Sequence, residues 1–363
     1  MQIRPRQGLR IIGDGGTFVL VSLATDDDVF LTLVEPLRGE LTAHCYRMTG
    51  SAHDAEDLVQ ETYIRAWRAF HGFENRSSLR TWMYRIATNV CLTALESRQR
   101  RPLPTGLGQP AADPSGQLSS RPETPWLEPL PDTVVWGHGD ADPAAAVLSR
   151  DSVRLAFVAA LQHLTPPQRA VVILRDVLAW HASEVAELLG LSVAAVNSSL
   201  QRARAQLAKL DPDAELPPVE EERAQQLLAD YVDAFERYDI ARIVELLTED
   251  ATWEMPPFDG WYRGAAAIGT LISTHCPASG PGDQLMVPVM ANGRPALALY
   301  MRGEDGRHHA FHVQVPTLTE RGFAHVVAFF EPTLFDRFGL PPVLPEDAEE
   351  RRALLAGTAL AAG

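Results

Sequence analysis

The sequence predicts a multidomain chain, two all-α helical modules followed by an α+β domain, and three observations carry that prediction. Apolar residues recur at three- and four-residue spacing through 54–70 and again through 77–94, the period of a helix with one buried face. A short apolar-faced helix, a glycine turn and a capped second helix follow one another across 185–207. Past residue 250 the period changes to strand-like alternation. In 309–315, Phe311, Val313 and Val315 share one face and Ala310, His312 and Gln314 the other.

Residues 1–27 form an N-terminal extension. Arg4, Arg6 and Arg10 precede a short apolar stretch, but 13–16 separates them from it and the stretch is barely long enough for a signal peptide. A disordered extension and a translation start set too far upstream both fit. The first module, 28–101, is helical throughout. Ala55, Leu58, Val59, Tyr63, Ala66, Trp67 and Phe70 make the buried stripe of one helix, and Ser77 or Ser78 caps the next. Residues 102–143 hold nine Pro and five Gly, too little apolar surface to offset chain entropy, so they read as a flexible linker.

The second module, 144–210, ends in the helix-turn-helix pattern. Val185, Leu188 and Leu189 face its core, Gly190 turns the chain, and Ser192 caps a helix with Val193, Val196, Leu200 and Leu207 inward. Pro212 stops that helix and 211–218 is a second linker. The third module, 219–338, opens with an amphipathic helix over 221–247 and continues in strands near 251–255, 296–302, 309–315 and 324–330, an α+β layout. An Ala-rich tail spans 339–363.

Charge separates these modules. The chain carries −15 overall, yet 30–101 is +2 and 144–210 is +3, whereas 211–363 holds −14. That asymmetry suits nucleic-acid contact by the first two modules only. Three widely spaced cysteines make neither a disulfide framework nor a metal spacing, which fits a reducing cytoplasm. No apolar run approaches the roughly 18–20 residues that span a bilayer, so no membrane partner is expected.

The ordered motifs identify a family. His44-Cys-Tyr-Arg-Met, the stretch Asp54-Ala-Glu-Asp-Leu-Val-Gln-Glu, and Leu79-Arg-Thr-Trp-Met-Tyr-Arg-Ile-Ala-Thr-Asn89 resemble conserved region 2 of sigma-70-family factors of the extracytoplasmic-function (ECF) group. Leu164-Thr-Pro-Pro-Gln-Arg169 and the helix-turn-helix residues resemble region 4. The resemblance implies a transcription initiation factor, not an enzyme. It would bind core RNA polymerase at the beta-prime clamp and the beta flap, and promoter DNA as duplex and as melted single strand. No metal or cofactor is implied.

Residue by residue, the resemblance makes Asp57, Gln60 and Glu61 the polymerase contacts, a polar helix face suited to a basic partner. Asn75, Arg80, Trp82, Arg85 and Asn89 fall in the part that reads the −10 element, where an unstacked base needs a pocket. Trp82 lies beside the apolar stripe, so core packing and DNA contact both stay open for it. Arg98, Arg100 and Arg101 suit phosphates or a solvated helix end equally. Asn197, Ser198, Gln201 and Arg202 are readers of the −35 element, and Arg204 joins them as a phosphate contact. His181 stands where such factors often carry a Ser-type cap.

The third module resembles the cone-like nuclear-transport-factor-2 fold of SnoaL-like type, through Met255-Pro-Pro-Phe-Asp-Gly-Trp-Tyr-Arg-Gly264 and the helix-then-sheet order. Such a cone can hold a small-molecule ligand, and the resemblance implies a domain that modulates activity. Trp253, Met255, Phe258, Trp261, Tyr300 and Phe311 would line a pocket or simply pack. Asp259 and His312 lie in no recognised catalytic motif, and His308, His309 and His312 do not share one strand face. An ordinary helix-turn-helix regulator and a bifunctional enzyme are the competing classes. The strand-opening module argues against the first, and the missing catalytic motif against the second.

Overall fold

Local capping chemistry sets the helix starts. The computed structural model describes residues 26–73, 77–97, 99–136, 150–210, 219–347, 349–350 and 354. The first module contains α1 (Asp26–Val34), α2 (Arg38–Thr49), α3 (Ala52–Ala69) and α4 (Leu79–Leu95). Ser51 Oγ accepts from the Asp54 amide at 3.1 Å, so α3 starts two residues before the predicted stripe. Ser78 Oγ caps α4 by accepting from the Thr81 amide at 3.1 Å.

After α5 (Asp132–Trp136) the second module builds α6 (Leu155–Leu161), α7 (Pro166–Val172), a π turn over Ile173–Val177, α8 (Ala182–Leu189) and α9 (Val193–Leu207). Gly190 turns between the last two helices at φ 63°. Ser192 Oγ caps α9 at 3.1 Å. Val193 is 45% exposed, not in the core. It overhangs the packed stripe, which runs through Val196, Ser199, Leu200 and Ala203.

In the third module the predicted single helix over 221–247 is two, α10 (Glu221–Glu236) and α11 (Ile240–Leu246). Tyr238 turns left-handed at φ 54°, and Asp239 Oδ1 caps α11 by accepting from the Arg242 amide at 3.0 Å. The remaining elements are β1 (Leu247–Glu254), β2 (Trp261–Arg263), α12 (Ala265–His275), β3 (Gln284–Ala291), β4 (Arg294–Arg302), β5 (His308–Thr319), β6 (Gly322–Phe329) and α13 (Leu334–Arg337). They form one six-stranded sheet in the order β2-β1-β6-β5-β4-β3, with β1 and β6 parallel and the other neighbours antiparallel.

Strand alternation divides this sheet between two cores. Leu297, Leu299 and Met301 of β4, with Val326 and Ala328 of β6, face the cone interior with Trp253 and Ile268. Ala296, Ala298 and Tyr300, with Val327 and Phe329, belong to a second core that is continuous with both helical modules. The side of the sheet turned away from the cone interior is therefore a buried face, and the acidic domain is docked on the rest of the chain.

The flexible-linker expectation for 102–143 fails over 102–136; 137–143 lies outside the described residues. The segment buries Leu103, Trp126, Leu127 and Leu130. Its backbone is held on the cone: Ala112 N–H donates to Trp261 O (2.8 Å) and Arg121 N–H to Pro257 O (2.9 Å), while Ser119 O accepts from Asp259 N–H (3.0 Å). The Thr105 amide donates to the buried Glu254 carboxylate at 2.7 Å. Few apolar side chains suffice here because each is large and fully engaged, and prolines leave less chain entropy to lose. The tail expectation likewise changes: Leu340 and Leu344 are buried, and Pro342 O accepts from the Ala310 amide at 2.8 Å.

Candidate nucleic-acid interface

Helix α9 presents one polar face because its other face is committed to the core. Asn197, Ser198, Gln201 and Arg202 are all exposed. Side chains with paired donors and acceptors, set on a rigid helix one turn apart, can reach base edges in a major groove. Arg204 is exposed too, but its Nε donates to Asp176 Oδ2 at 2.9 Å and its Nη2 to Oδ1 at 2.5 Å. The entry to α8, in doubt because of His181, is built by Glu184, whose Oε2 accepts from the His181 amide at 2.7 Å.

Helix α4 carries the second candidate set. Asn89 is exposed. Trp82 is half-buried against Phe73, ring centroids 4.8 Å apart, so it packs with the loop before α4. Arg80 donates to Glu40 Oε2 at 2.7 Å and lies over the Tyr84 ring. Arg85 reaches out of its own module, with Nη1 donating to Glu187 Oε1 of α8 at 3.0 Å. Asn75 and Arg98 lie outside the described residues. Arg101 is occupied by Asp54 at 2.9 Å and Glu128 at 3.3 Å, and Arg100 by His163 and Gly106 O. Neither guanidinium is a bare helix-end charge.

On α3, Asp57 and Gln60 are exposed, and half-buried Glu61 accepts from Arg65 Nε at 2.6 Å. Ile64, one turn further along the same face, is 46% exposed.

Two buried guanidiniums join the helical modules. Arg47 of α2 donates to Ser152 O at 3.1 Å and Ser152 Oγ at 2.6 Å. Arg169 of α7 donates to Leu161 O at 3.0 Å and Gln162 Oε1 at 2.7 Å, and to Met48 O of the first module. Burial pushes both guanidiniums down to about 10, opposed in part by Tyr84 and Glu40 at Arg47 and by Cys91 at Arg169. The turn between β3 and β4 meets the same junction: Asn292 Nδ2 donates to Tyr46 Oη and Val153 O, both at 2.8 Å, and Oδ1 accepts from the Leu130 amide at 3.0 Å.

The family model of Sigma-70 region 2 matches residues 33–101, that of Sigma-70, region 4 matches 154–207, and that of the SnoaL-like domain matches 228–333. The ECF RNA polymerase sigma factor SigG of Mycobacterium tuberculosis strain H37Rv is 59% identical over 317 residues, 87% of this chain and 85% of SigG. The chain belongs to the ECF RNA polymerase sigma factors. Sigma factors bind core RNA polymerase and promoter DNA, and this one recognises promoters and starts transcription. The sigma factor SigJ of the same organism is 31% identical over 337 residues, 88% of this chain and 95% of SigJ. The crystal structure of M. tuberculosis SigJ shares the fold, with a TM-score of 0.56 at 24% identity over 86% of this chain and 99% of that one.

For this sigma factor the sequence motifs locate the exposed faces, and the acids that engage them come from elsewhere in the chain. Asp176 and Glu187 carried no motif signal of pairing with Arg204 and Arg85. Arg47 lay inside a recognised motif without a role. Ile64 was detectable as an apolar residue off the buried stripe of α3.

Proposed function

We propose that α3 docks the sigma factor on the beta-prime clamp through Asp57, Gln60 and Glu61, with region 4 at the beta flap. Arg80, Trp82, Arg85 and Asn89, with Asn75, engage the −10 element. Asn197, Ser198, Gln201 and Arg202 read the −35 element, and Arg204 touches the neighbouring phosphate. The C-terminal cone modulates these contacts through the segment that lies on it. The observation that carries this reading is the polar face of α9, four exposed residues with base-reading chemistry backed by a fully packed stripe.

Run-off transcription with core polymerase on a cognate promoter tests it. Gln201→Ala and Arg202→Ala are each expected to weaken promoter recognition by about 1–3 kcal/mol, specific to the −35 sequence. Arg204→Ala should weaken binding to all sequences alike. Loss that is equal on promoters with and without the −35 element would remove Gln201 and Arg202 from the base-reading set.

A further inference from the structure

Inside the cone lies a cavity of about 210 Å³ that the transcription chemistry does not use. Its wall is mainly aromatic and aliphatic, and among the described residues no Asp, Glu, Lys or Arg lines it. It exceeds the roughly 150 Å³ that accommodates a benzene ring in a dry protein interior.

Four lining residues each carry a buried polar atom with no hydrogen-bond partner: Trp253 Nε1, His275 Nε2, Gln284 Oε1 and His312 Nδ1. Trp253, Gln284 and His312 are 3%, 1% and 4% exposed. Buried polar atoms are nearly always paired, so four orphans around one cavity is an unusual concentration. Their roles can be assigned. Tyr231 Oη donates to Gln314 Oε1 at 2.9 Å, which leaves Gln314 Nε2 to donate to His312 Nε2 at 2.8 Å. The His312 proton therefore sits on Nδ1, and burial, which pushes this imidazole down to about 3, keeps the ring neutral. Gln284 Nε2 donates to Cys276 Sγ at 3.2 Å, leaving Oε1 as an acceptor. The set is two N–H donors, one carbonyl acceptor and the His275 nitrogen.

We propose that this cavity binds a small uncharged molecule, an apolar ring bearing a carbonyl-type acceptor and a hydroxyl-type donor, and that the segment between the helical modules closes over it. An ion would shed its hydration there and meet no opposite charge. Leu118 of that segment lines the cavity, and the hydrogen bonds at Ser119 and Arg121 fix it to the rim. A bound molecule touches Leu118 and stabilises the segment where it lies. That this reaches promoter binding rests on the modulating role proposed for the cone; the binding site does not.

Calorimetric titration of the full-length protein with 4-hydroxyacetophenone tests the site, with 4-hydroxybenzoate as an anion of similar size. The neutral probe is expected to bind at one saturable site, and the anion at least about ten-fold more weakly. Trp253→Phe and Gln284→Leu should each weaken the neutral probe about five-fold or more. On saturation, amide exchange across 112–121 should slow several-fold. No saturable binding, equal binding of the anion, or full affinity in both variants overturns the site. Unchanged exchange in 112–121 overturns the closure. The comparison of neutral and anionic probes needs no variant to fold, and neither polymerase nor promoter is present, so failure leaves the transcription reading standing.

Discussion

Asp132 stands where the chain between the helical modules meets the β3–β4 turn, its Oδ1 accepting from the Gly293 amide at 2.8 Å. Burial pushes its carboxyl up to about 7, only partly opposed by that hydrogen bond and by Arg150. The folded chain thus binds this proton more tightly than the unfolded chain does. The stability it contributes is complete below about pH 4 and is lost as pH climbs through about 7. The loss is on the order of 2–4 kcal/mol. Asp132→Asn keeps the acceptor and removes the proton, so urea midpoints of the variant should vary less between about pH 5 and 8 than those of the parent. Parallel profiles for the two proteins would dismiss Asp132 as a source of the slope.

At the scale of elements, the segment 102–136 is held by its large apolar residues rather than by its ions. Trp126 is 9% exposed and bonds Arg121 O through its indole N–H at 2.9 Å. Trp126→Ala should cost about 3 kcal/mol in urea unfolding and speed amide exchange across 112–121. Arg121→Ala should cost about 1–2 kcal/mol, since the guanidinium is 45% exposed but its removal leaves the buried Asp259 carboxylate without that partner. A larger effect from Arg121 would reverse that ranking. This segment also marks where sequence reading stops. Helices α3, α4 and α9 were legible because caps and apolar period are local. The course of 102–136 is dictated by surfaces far away in the chain. Strand β2 is three residues long, and β3 carries Pro288, tolerated because β3 is an edge of the sheet. The exposure of Asn197, Ser198, Gln201 and Arg202 was legible for the same local reason. The ionic partner of Arg85 was not, since Arg85 and Glu187 are 102 residues apart.

For the whole molecule, the distance between promoter elements decides what the packed state can do. The −10 and −35 elements lie about 25 base pairs apart, about 85 Å at about 3.4 Å per step. A compact chain of this length has a radius of gyration of about 21 Å. Here α4 and α8 touch through Arg85 and Glu187 at 3.0 Å, and Arg47 and Arg169 clasp the two modules together. With the first module on the −10 element and the second on the −35 element, as proposed, the two cannot hold both in this arrangement, and initiation is expected to separate them. Dyes on Arg68→Cys and Ala205→Cys, both exposed positions, should show high energy transfer in the free protein and low transfer once core polymerase and promoter are added. Arg47→Met removes the hydrogen bonds to Ser152, about 1.5–3 kcal/mol, and should lower transfer in the free protein without touching α4 or α9. Transfer that stays high in the initiation complex would mean the promoter is read without opening, and the clasp would then be ordinary core packing.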